Sequence, residues 1–362
     1  MRPAWSDRKP RSRLNTKAIH QLIPSAAPTD AVTEQAVAWR DALRRQGVAS
    51  EIHAEHIHPA FAHDARPIAR FRPKPDEGAI LHYSIWSSVA ERALELPPER
   101  LGLNYQNITP GHLLEEVNPI VAELCDRGRH ELKRLAGKVG VLIAPSQFNA
   151  LDLEDAGHTD VQIVPLILPD KTPPPVRASV APTVLTVGRV VPSKRLEDAI
   201  RALAVLRQTL VSDAVLEIVG SWEGFESYRQ SLDRFTARLG MVDAVIFHGR
   251  VSDAERDAIY SRAGVYLCMS EHEGFCAPLI EALSQGLPVV ARSAGAVPET
   301  LGGAGLLLPD GDAAVAAEVL AAVLTRHDVR AALHTRSEHR LADLAPELIE
   351  QRLLAALAPL LD

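Results

Sequence analysis

Cysteines and long apolar runs are scarce in this sequence of 362 residues. The three cysteines, Cys125, Cys268 and Cys276, show no paired spacing. This argues against a disulfide framework or a zinc site and favours a reducing compartment, so we expect a cytoplasmic protein. No stretch approaches the ~20 apolar residues that a membrane span needs. The basic N-terminus lacks the apolar run of a signal peptide.

Positive charge is not in excess either. The formal net charge is −7, and residues 1–180 contain 22 basic and 22 acidic side chains, so the net negative charge lies in the second half. This balance argues against a nucleic-acid partner. The 46% of hydrophobic and 23% of charged residues are typical of a globular protein, and the length predicts two domains.

Apolar runs of strand length alternate with segments of helical periodicity. The first strand is predicted at 18–24, and the helix after it runs through residues 32–43 with Asp30 as its cap. Further strands are predicted at 49–57, 79–85, 101–107, 139–144 and 161–168, with a helix ending at residue 96, a long helix over 111–136 and a loop at 145–149. This alternation predicts an α/β domain with a doubly wound parallel sheet.

A proline-rich segment, residues 170–182, divides the chain and predicts a linker. The alternation restarts behind it, with strands at 183–190, 215–220, 245–250, 265–269, 288–292 and 305–308. The sequence therefore predicts a flexible arm (1–16), a Rossmann-like domain (17–169), the linker, a second Rossmann-like domain (183–344) and an amphipathic C-terminal helix (345–362).

Residues 270–281 read S-E-H-E-G-F-C-A-P-L-I-E and join a predicted strand to a predicted helix. In a parallel sheet this crevice collects ligands, and the N–H groups of a helix start suit a phosphate. Glu273 and Glu281 would repel phosphate, so their natural partners are hydroxyl groups. A nucleotide sugar carries both kinds of group.

The same segment resembles the signature E-G-F-G-L-P-x-x-E-A of retaining glycosyltransferases of family 4, which belong to glycosyl transferases group 1. Cys276 and Ala277 replace Gly-Leu, whereas Glu281 is kept. The resemblance implies the GT-B fold, in which two doubly wound Rossmann-like domains face each other across a cleft. It also implies that the C-terminal helix crosses back to the first domain.

Two further segments of the second half match this family. The segment V-G-R-V-V-P-S-K-R resembles its G-R-x-x-x-x-K-G loop, with Arg195 in place of the last glycine. F-H-G-R-V resembles its F-x-G-x-V strand end. The resemblance implies that Arg189 and Lys194 stabilise the leaving diphosphate beside the catalytic Glu273. It implies donor contacts at Gly188, Arg189, Lys194, Gly249, Arg250, Val251, Gly274, Phe275, Cys276, Ala277 and Glu281.

The first half matches the family less closely. The segments D-A-V (30–32), H-Y-S (82–84), N-I-T-P (107–110) and S-Q-F-N (146–149) resemble loops of a bacterial branch and fall at predicted strand ends. Many members have a histidine before N-I-T-P, where this chain has Gln106. We expect Gln106 to face the donor sugar, but an amide shuttles no proton at pH 7.

The resemblance implies transfer of a sugar from a UDP- or GDP-sugar to a hydroxyl of a glycan, lipid-linked or small-molecule acceptor, with retention and without a metal or other cofactor. Two alternatives stay open. The protein could be a GT-B hydrolase or epimerase acting on the nucleotide sugar, or a donor-binding protein that has lost catalysis. Donor base, sugar, acceptor and oligomeric state do not follow from the sequence.

Three other patterns have ordinary explanations. Asp310 and Asp312 resemble a metal-binding pair but fit a strand-to-helix turn. The histidines at 53, 56, 58 and 63 lack the accompanying ligands of a zinc site. The cationic residues Arg127, Arg129, Lys133, Arg134 and Lys138 predict a solvated helix face, with peripheral contact to an anionic membrane or lipid-linked acceptor as the alternative.

Overall fold

The computed structural model describes residues 16–169 and 172–361, and its strands form two sheets. Of the predicted N-terminal arm only Thr16 lies within the described residues. The first sheet contains β1 (Ala18–Ala26), β2 (Ile52–Ile57), β3 (Ala65–Pro67), β4 (Glu77–Tyr83), β5 (Leu101–Tyr105), β6 (Val141–Ala144) and β7 (Gln162–Ile163). Their order is β3-β2-β1-β4-β5-β6-β7, and all neighbours are parallel.

The second sheet is also wholly parallel, in the order β10-β9-β8-β11-β12-β13. Its strands are β8 (Thr183–Val187), β9 (Val215–Val219), β10 (Val245–Gly249), β11 (Val265–Cys268), β12 (Val289–Arg292) and β13 (Leu306–Leu308). All six were predicted from sequence. Each sheet reverses its winding once, at β1/β4 and at β8/β11, which confirms two doubly wound domains.

Helices connect the strands and cover the sheets. They are α1 (Ala31–Arg45), α2 (Val89–Ala93), α3 (Pro119–Leu135), α4 (Gln147–Asp155), α5 (Leu196–Thr209), α6 (Glu226–Arg238), α7 (Asp253–Arg262), α8 (Ala277–Ser284), α9 (Val297–Leu301), α10 (Ala313–Thr325), α11 (His327–Asp343), α12 (Pro346–Ala356) and α13 (Ala358–Leu361). The Asp30 carboxylate caps α1 by accepting from the Thr33 N–H, as predicted. Ser252 and Glu255 form a capping box on α7.

Several predictions for the first domain were wrong. The strand predicted at 161–168 is only the two-residue β7, and β3 was not predicted. The predicted loop at 145–149 contains the start of α4, because the Ser146 hydroxyl accepts from the Asn149 N–H and caps a helix. The predicted long helix begins only at Pro119, since Asn118 is its cap and proline suits the first helical position. Residues 111–113 form a separate 3₁₀ turn.

The C-terminal helices contact the first domain. Glu350 of α12 pairs with Arg45 of α1, with 2.5 Å between Oε2 and Nη2. The Thr16 N–H donates to the Leu361 carbonyl at 3.4 Å. The domain boundaries themselves stay predictions. Within the described residues, no helix is both long and apolar enough to cross a membrane.

Candidate active site

The loops after β8 and β11 lie side by side. The two strands are neighbours, with Leu185 opposite Tyr266, so residues 188–195 and 269–276 leave the same edge of the sheet. Because the winding reverses between these strands, a crevice opens at that edge. Lys194 and Glu273 meet there, with 2.5 Å between Nζ and Oε1.

The Lys194–Glu273 pair is a shielded ion pair. Glu273 is 7% exposed, and the Lys194 side chain is 21% exposed. Burial opposes the charge of Lys194, but the Glu273 carboxylate outweighs it and raises the pKa of the ammonium. An ammonium has three N–H donors, and this pair uses one. Lys194 is therefore a fixed cation with donors left for a ligand.

Both residues that replace a glycine of the family motif are left-handed. Arg195, after the Lys194 turn, has φ 51° and ψ 45°, and Cys276, before α8, has φ 69° and ψ 65°. Glycine adopts this conformation without a steric penalty, which explains why the family motif has glycine at both positions. In this chain the two non-glycine residues adopt the same left-handed conformation, which strains the backbone.

Glycine is required at residue 220, next to the loop that contains Arg189. A Cβ on Gly220 would lie 1.8 Å from the Gly188 carbonyl oxygen, so only glycine allows the backbone after β9 to lie this close to the backbone after β8. Sequence analysis did not select Gly220. Gly188 itself has φ 148°, and a Cβ there would lie 3.4 Å from the Lys194 Cε. The backbone therefore approaches the lysine closely.

Arg189 is an exposed residue at the mouth of the crevice. Its guanidinium lies 5.3 Å from the centre of the Phe225 ring. Burial raises the pKa of Asp30, at the start of α1, while the Arg189 charge opposes that rise. Arg189 thus faces the first domain and has Asp30 as an electrostatic partner across the cleft.

Gly249 is the last residue of β10, and Arg250 and Val251 follow it, at the far side of the same sheet edge. A Cβ on Gly249 would lie 3.2 Å from the Trp222 ring, so the indole covers this backbone. Arg250 is exposed and 3.6 Å from Glu223. Trp222, which sequence analysis missed, places an aromatic surface beside the predicted nucleobase contact.

Glu281 lies in the second turn of α8. Its Oε2 accepts from the Tyr260 hydroxyl at 3.1 Å and lies 3.8 Å from Arg256 Nε. Glu34, in α1 of the opposite domain, interacts electrostatically with this carboxylate. Burial, and after it the Glu281 charge, raises the pKa of Glu34 to about 7. Glu281 is thus oriented by its own domain and faces the cleft.

The loop carrying Glu273 also touches the first domain. His272 Nε2 lies 2.5 Å from Asn107 Oδ1, and the Ser146 hydroxyl donates to the Gly274 carbonyl at 2.8 Å. Asn107 in turn donates to Asn149 at 3.0 Å. The N-I-T-P and S-Q-F-N segments therefore line the opposite wall of the cleft. Only His272 among these residues had been overlooked, although it stands beside Glu273 in the motif.

Gln106 belongs to a buried hydrogen-bond chain. Its Nε2 and the Asn104 amide each lie 3.1 Å from His82 Nδ1, and His82 Nε2 lies 2.8 Å from Gln21 Oε1. Two amide donors on Nδ1 place the ring proton on Nε2. Burial lowers the pKa of His82 to about 3, so the ring is neutral. Gln106 therefore connects the cleft wall to a neutral network.

The other polar patterns are resolved as follows. Asp310 accepts from the Asp312 N–H, and Asp312 caps α10, as their turn position predicted.

In the basic helix, Arg129 turns inward to Asp152, with a shortest separation of 2.6 Å. Arg127 instead lies 3.6 Å over the Trp86 ring. A cavity of about 330 Å³ opens there, lined by Trp86, Asp126, Arg127, His130, Glu131 and Arg134.

Comparison with known proteins agrees with this geometry. Residues 173–340 match the family model of glycosyl transferases group 1. The chain is 32% identical over 186 residues to the MMP alpha-(1->4)-mannosyltransferase of Mycolicibacterium hassiacum, covering 50% of this chain and 42% of that protein. It is 34% identical over 127 residues to a GDP-mannose-dependent alpha-(1-6)-phosphatidylinositol monomannoside mannosyltransferase of Mycolicibacterium smegmatis, covering 33% and 32% of the two chains. The match thus spans less than half of either relative.

The fold has solved counterparts. Alr3699/HepE from Anabaena, crystallised with UDP and glucose, superimposes with a TM-score of 0.69 at 18% identity, over 94% of this chain and 99% of that one. Such low identity shows the shared fold alone. Residues 173–340 of this chain are therefore similar to the glycosyl transferases group 1 family, and the chain has the GT-B fold.

Proposed function

We propose that this protein is a retaining glycosyltransferase of the family 4 type. It moves a sugar from a UDP- or GDP-sugar to a hydroxyl of a glycan, lipid-linked or small-molecule acceptor. The Lys194–Glu273 pair beside Arg189, at the switch point of the second sheet, is the observation that carries the proposal. The similarity to a relative named as a GDP-mannose-dependent mannosyltransferase and to a structure solved with UDP and glucose supports a nucleotide sugar as donor.

Each part of the donor has a partner of suitable chemistry. Lys194 and Arg189 hold the diphosphate, and Glu273 binds hydroxyls of the sugar. Glu281, oriented by Tyr260, binds the ribose hydroxyls. The base lies along residues 249–251 near Trp222. Carboxylates accept from hydroxyl donors, and cations pair with phosphate, so this arrangement separates the two chemistries along one ligand.

In the transfer step, the bond between the anomeric carbon and the diphosphate oxygen breaks while the acceptor oxygen bonds to that carbon from the same face. The acceptor proton passes to the leaving diphosphate. Lys194 and Arg189 stabilise the negative charge that develops there, because they are positioned before the reaction begins. Turnover then needs no divalent ion in the cleft. If EDTA abolished transfer and magnesium restored it, this assignment would be wrong.

The cavity beside Trp86 suits an acceptor with an anionic group. Asp126 accepts from the Gly111 N–H and Glu131 from the Tyr83 hydroxyl, so both carboxylates are engaged. The exposed cations of this cavity, Arg127 and Arg134, are available to a phosphate. Loss of preference for phosphorylated over neutral acceptors in Arg134→Ala would support this site; an unchanged preference would exclude it.

Donor binding without catalysis is the second candidate, and Gln106 favours it. Neither the Gln106 amide nor the neutral His82 behind it supplies a titrating group near pH 7. Thermal denaturation with UDP, GDP, ADP and dTDP identifies the base, since a ligand at 100 times its Kd adds about 2.7 kcal/mol of stability. Product analysis with the matching sugar donors, with and without acceptors, then separates transfer, hydrolysis and binding alone.

A further inference from the structure

A second cluster of polar groups lies in the first domain, at the end of the sheet away from the cleft. His20, Glu51 and His53 bring one ligand atom each to within 4.8 Å of one another. His20 is the third residue of β1 and His53 the second of β2, whereas the cleft loops follow the carboxyl ends of the strands. Six strand residues separate His20 from that edge, about 20 Å.

The two imidazoles are buried with unpartnered nitrogens. His53 is 4% exposed and the His20 side chain 12% exposed, and Nδ1 of each ring is buried without a hydrogen-bond partner. Buried polar atoms are nearly always satisfied, so two neighbouring orphans need an explanation.

The second nitrogen of the His20 ring has a carboxylate nearby. His20 Nε2 lies 3.7 Å from Glu77 Oε2. Metal-binding histidines characteristically donate their second N–H to a carboxylate or a backbone carbonyl, which fixes the tautomer. A proton on Nε2 of His20, towards Glu77, leaves its Nδ1 as an acceptor.

We propose that His20, Glu51 and His53 bind a divalent transition metal ion of the zinc type. Zinc takes imidazole nitrogen and carboxylate oxygen ligands, and tetrahedral bonds of 2.0–2.1 Å separate ligand atoms by about 3.3 Å. The three ligand atoms must therefore approach one another by up to about 1.5 Å. The partly exposed Glu51 must also release Arg66, which now lies 2.7 Å away. Water completes the coordination.

This site differs from the histidine cluster that the sequence suggested. Of the four histidines at 53–63, only His53 is buried, while His56, His58 and His63 are exposed. The ligands that join His53 come from residue 51 and from another strand, β1, which is hydrogen-bonded to β2. A structural role follows from the location, because the ion would clamp β1 to β2 far from the reacting groups.

The test measures zinc bound per chain by equilibrium dialysis and metal analysis of tag-free protein, and the thermal midpoint with and without Zn²⁺. We expect one ion per chain and a midpoint raised by about 3 °C or more. His20→Asn, His53→Asn and Glu51→Gln should each weaken binding at least about tenfold. Neither measurement uses a sugar donor, so the outcome is independent of the proposed transferase activity.

Two controls make the test decisive. His56→Asn changes an exposed histidine of the same strand and should bind zinc like the native protein. Cys268→Ser removes a thiol from the other cluster of ligand-type atoms, Cys268, Glu273 and Cys276, and should also leave binding unchanged. Glu51 is on the surface, so Glu51→Gln remains informative if a histidine variant fails to fold. Native-like binding by Glu51→Gln and both histidine variants, binding lost in Cys268→Ser, or no binding to the native protein would overturn the proposal.

Discussion

The two walls of the cleft use different chemistry. The second domain presents charges held in place by other charges, with Lys194 bonded to Glu273 and Glu281 beside Arg256. Opposite Glu273 the first domain presents neutral amides and hydroxyls, such as Asn107 and Ser146, and its carboxyl groups Asp30 and Glu34 interact with Arg189 and Glu281 instead. In the proposed reaction the leaving diphosphate needs fixed cations, whereas an acceptor or sugar hydroxyl can be positioned by many neutral groups. This explains why the second half of the chain carries the sharper motif.

The largest effect should come from breaking the ion pair. Lys194→Ala leaves the buried Glu273 carboxylate unpaired, so transfer should fall by about 10²-fold or more. The free energy of unfolding should fall by about 3 kcal/mol. Rates of nucleoside diphosphate release and urea unfolding measure the two quantities. Asp328→Ala, which removes the exposed partner of Arg326, should change neither. Equal losses in both variants would contradict the special role of the cleft pair.

The neutral wall should respond to pH through His82. The His82 pKa of about 3 lies below that of a free imidazole, so the stabilisation of the folded state by neutral His82 is complete above pH 6.5. That contribution is lost as the pH falls towards 3, at about 1.4 kcal/mol per pH unit, because the unfolded chain binds the proton first. His82→Gln should flatten this part of the curve of unfolding free energy against pH. The exposed His58→Gln is the control, and an identical slope in all three proteins would refute the buried network.

Substitution of the two glutamates of the second domain, Glu273 and Glu281, should have different effects on nucleotide affinity and on transfer. Glu281→Ala should weaken binding of the bare nucleoside diphosphate about tenfold, since a hydrogen bond to a charged group is lost. Glu273→Ala should leave that affinity within about twofold and reduce transfer instead. Isothermal titration with the nucleotide and a transfer assay measure both. Identical effects on nucleotide affinity would exclude this division of roles.

A smaller effect is expected at Gln106, which adjoins the N-I-T-P segment of the first domain. Gln106→Ala should reduce transfer more than donor binding. Gln106→His should change the rate several-fold or introduce a limb near pH 6.5 in the pH profile, which the native protein should lack at this position. Rates across this pH range test the prediction. If both variants matched the native protein in rate, affinity and pH profile, Gln106 would have no role in the cleft.

The smallest effect should follow from restoring glycine on the charged wall. Arg195→Gly relieves the left-handed backbone strain, but it loses the contacts to Glu197 and Asp198 and makes the unfolded chain more flexible. Because these effects oppose each other, the free energy of unfolding should change by no more than about 1 kcal/mol. Arg195→Val keeps the penalty and adds a β-branched side chain, which should cost about 1–2 kcal/mol more. Urea unfolding compares the two. Equal stability of both variants would show that the backbone relaxes out of this conformation.

The sequence was a good guide wherever the signal is local. Strand runs and caps such as Asp30 and Ser252 follow from side-chain periodicity and from backbone N–H groups that need a nearby acceptor. The helix at 147–155 was missed because it is short and its Asn and Asp residues resemble a loop. Prediction therefore failed where local preference was weak and the fold supplied the stabilising contacts.

By itself the sequence determined the two doubly wound domains, the strand-to-helix position of Glu273 and the two loops in which glycine is replaced. Only the tertiary structure decided which residues meet. Lys194 and Glu273 are 79 positions apart, and His272 reaches Asn107 across 165. Neither pairing leaves a local signature, because partner choice at such separations depends on sheet order and domain contact. The same holds for His20 and His53, which two parallel strands bring together from separate segments.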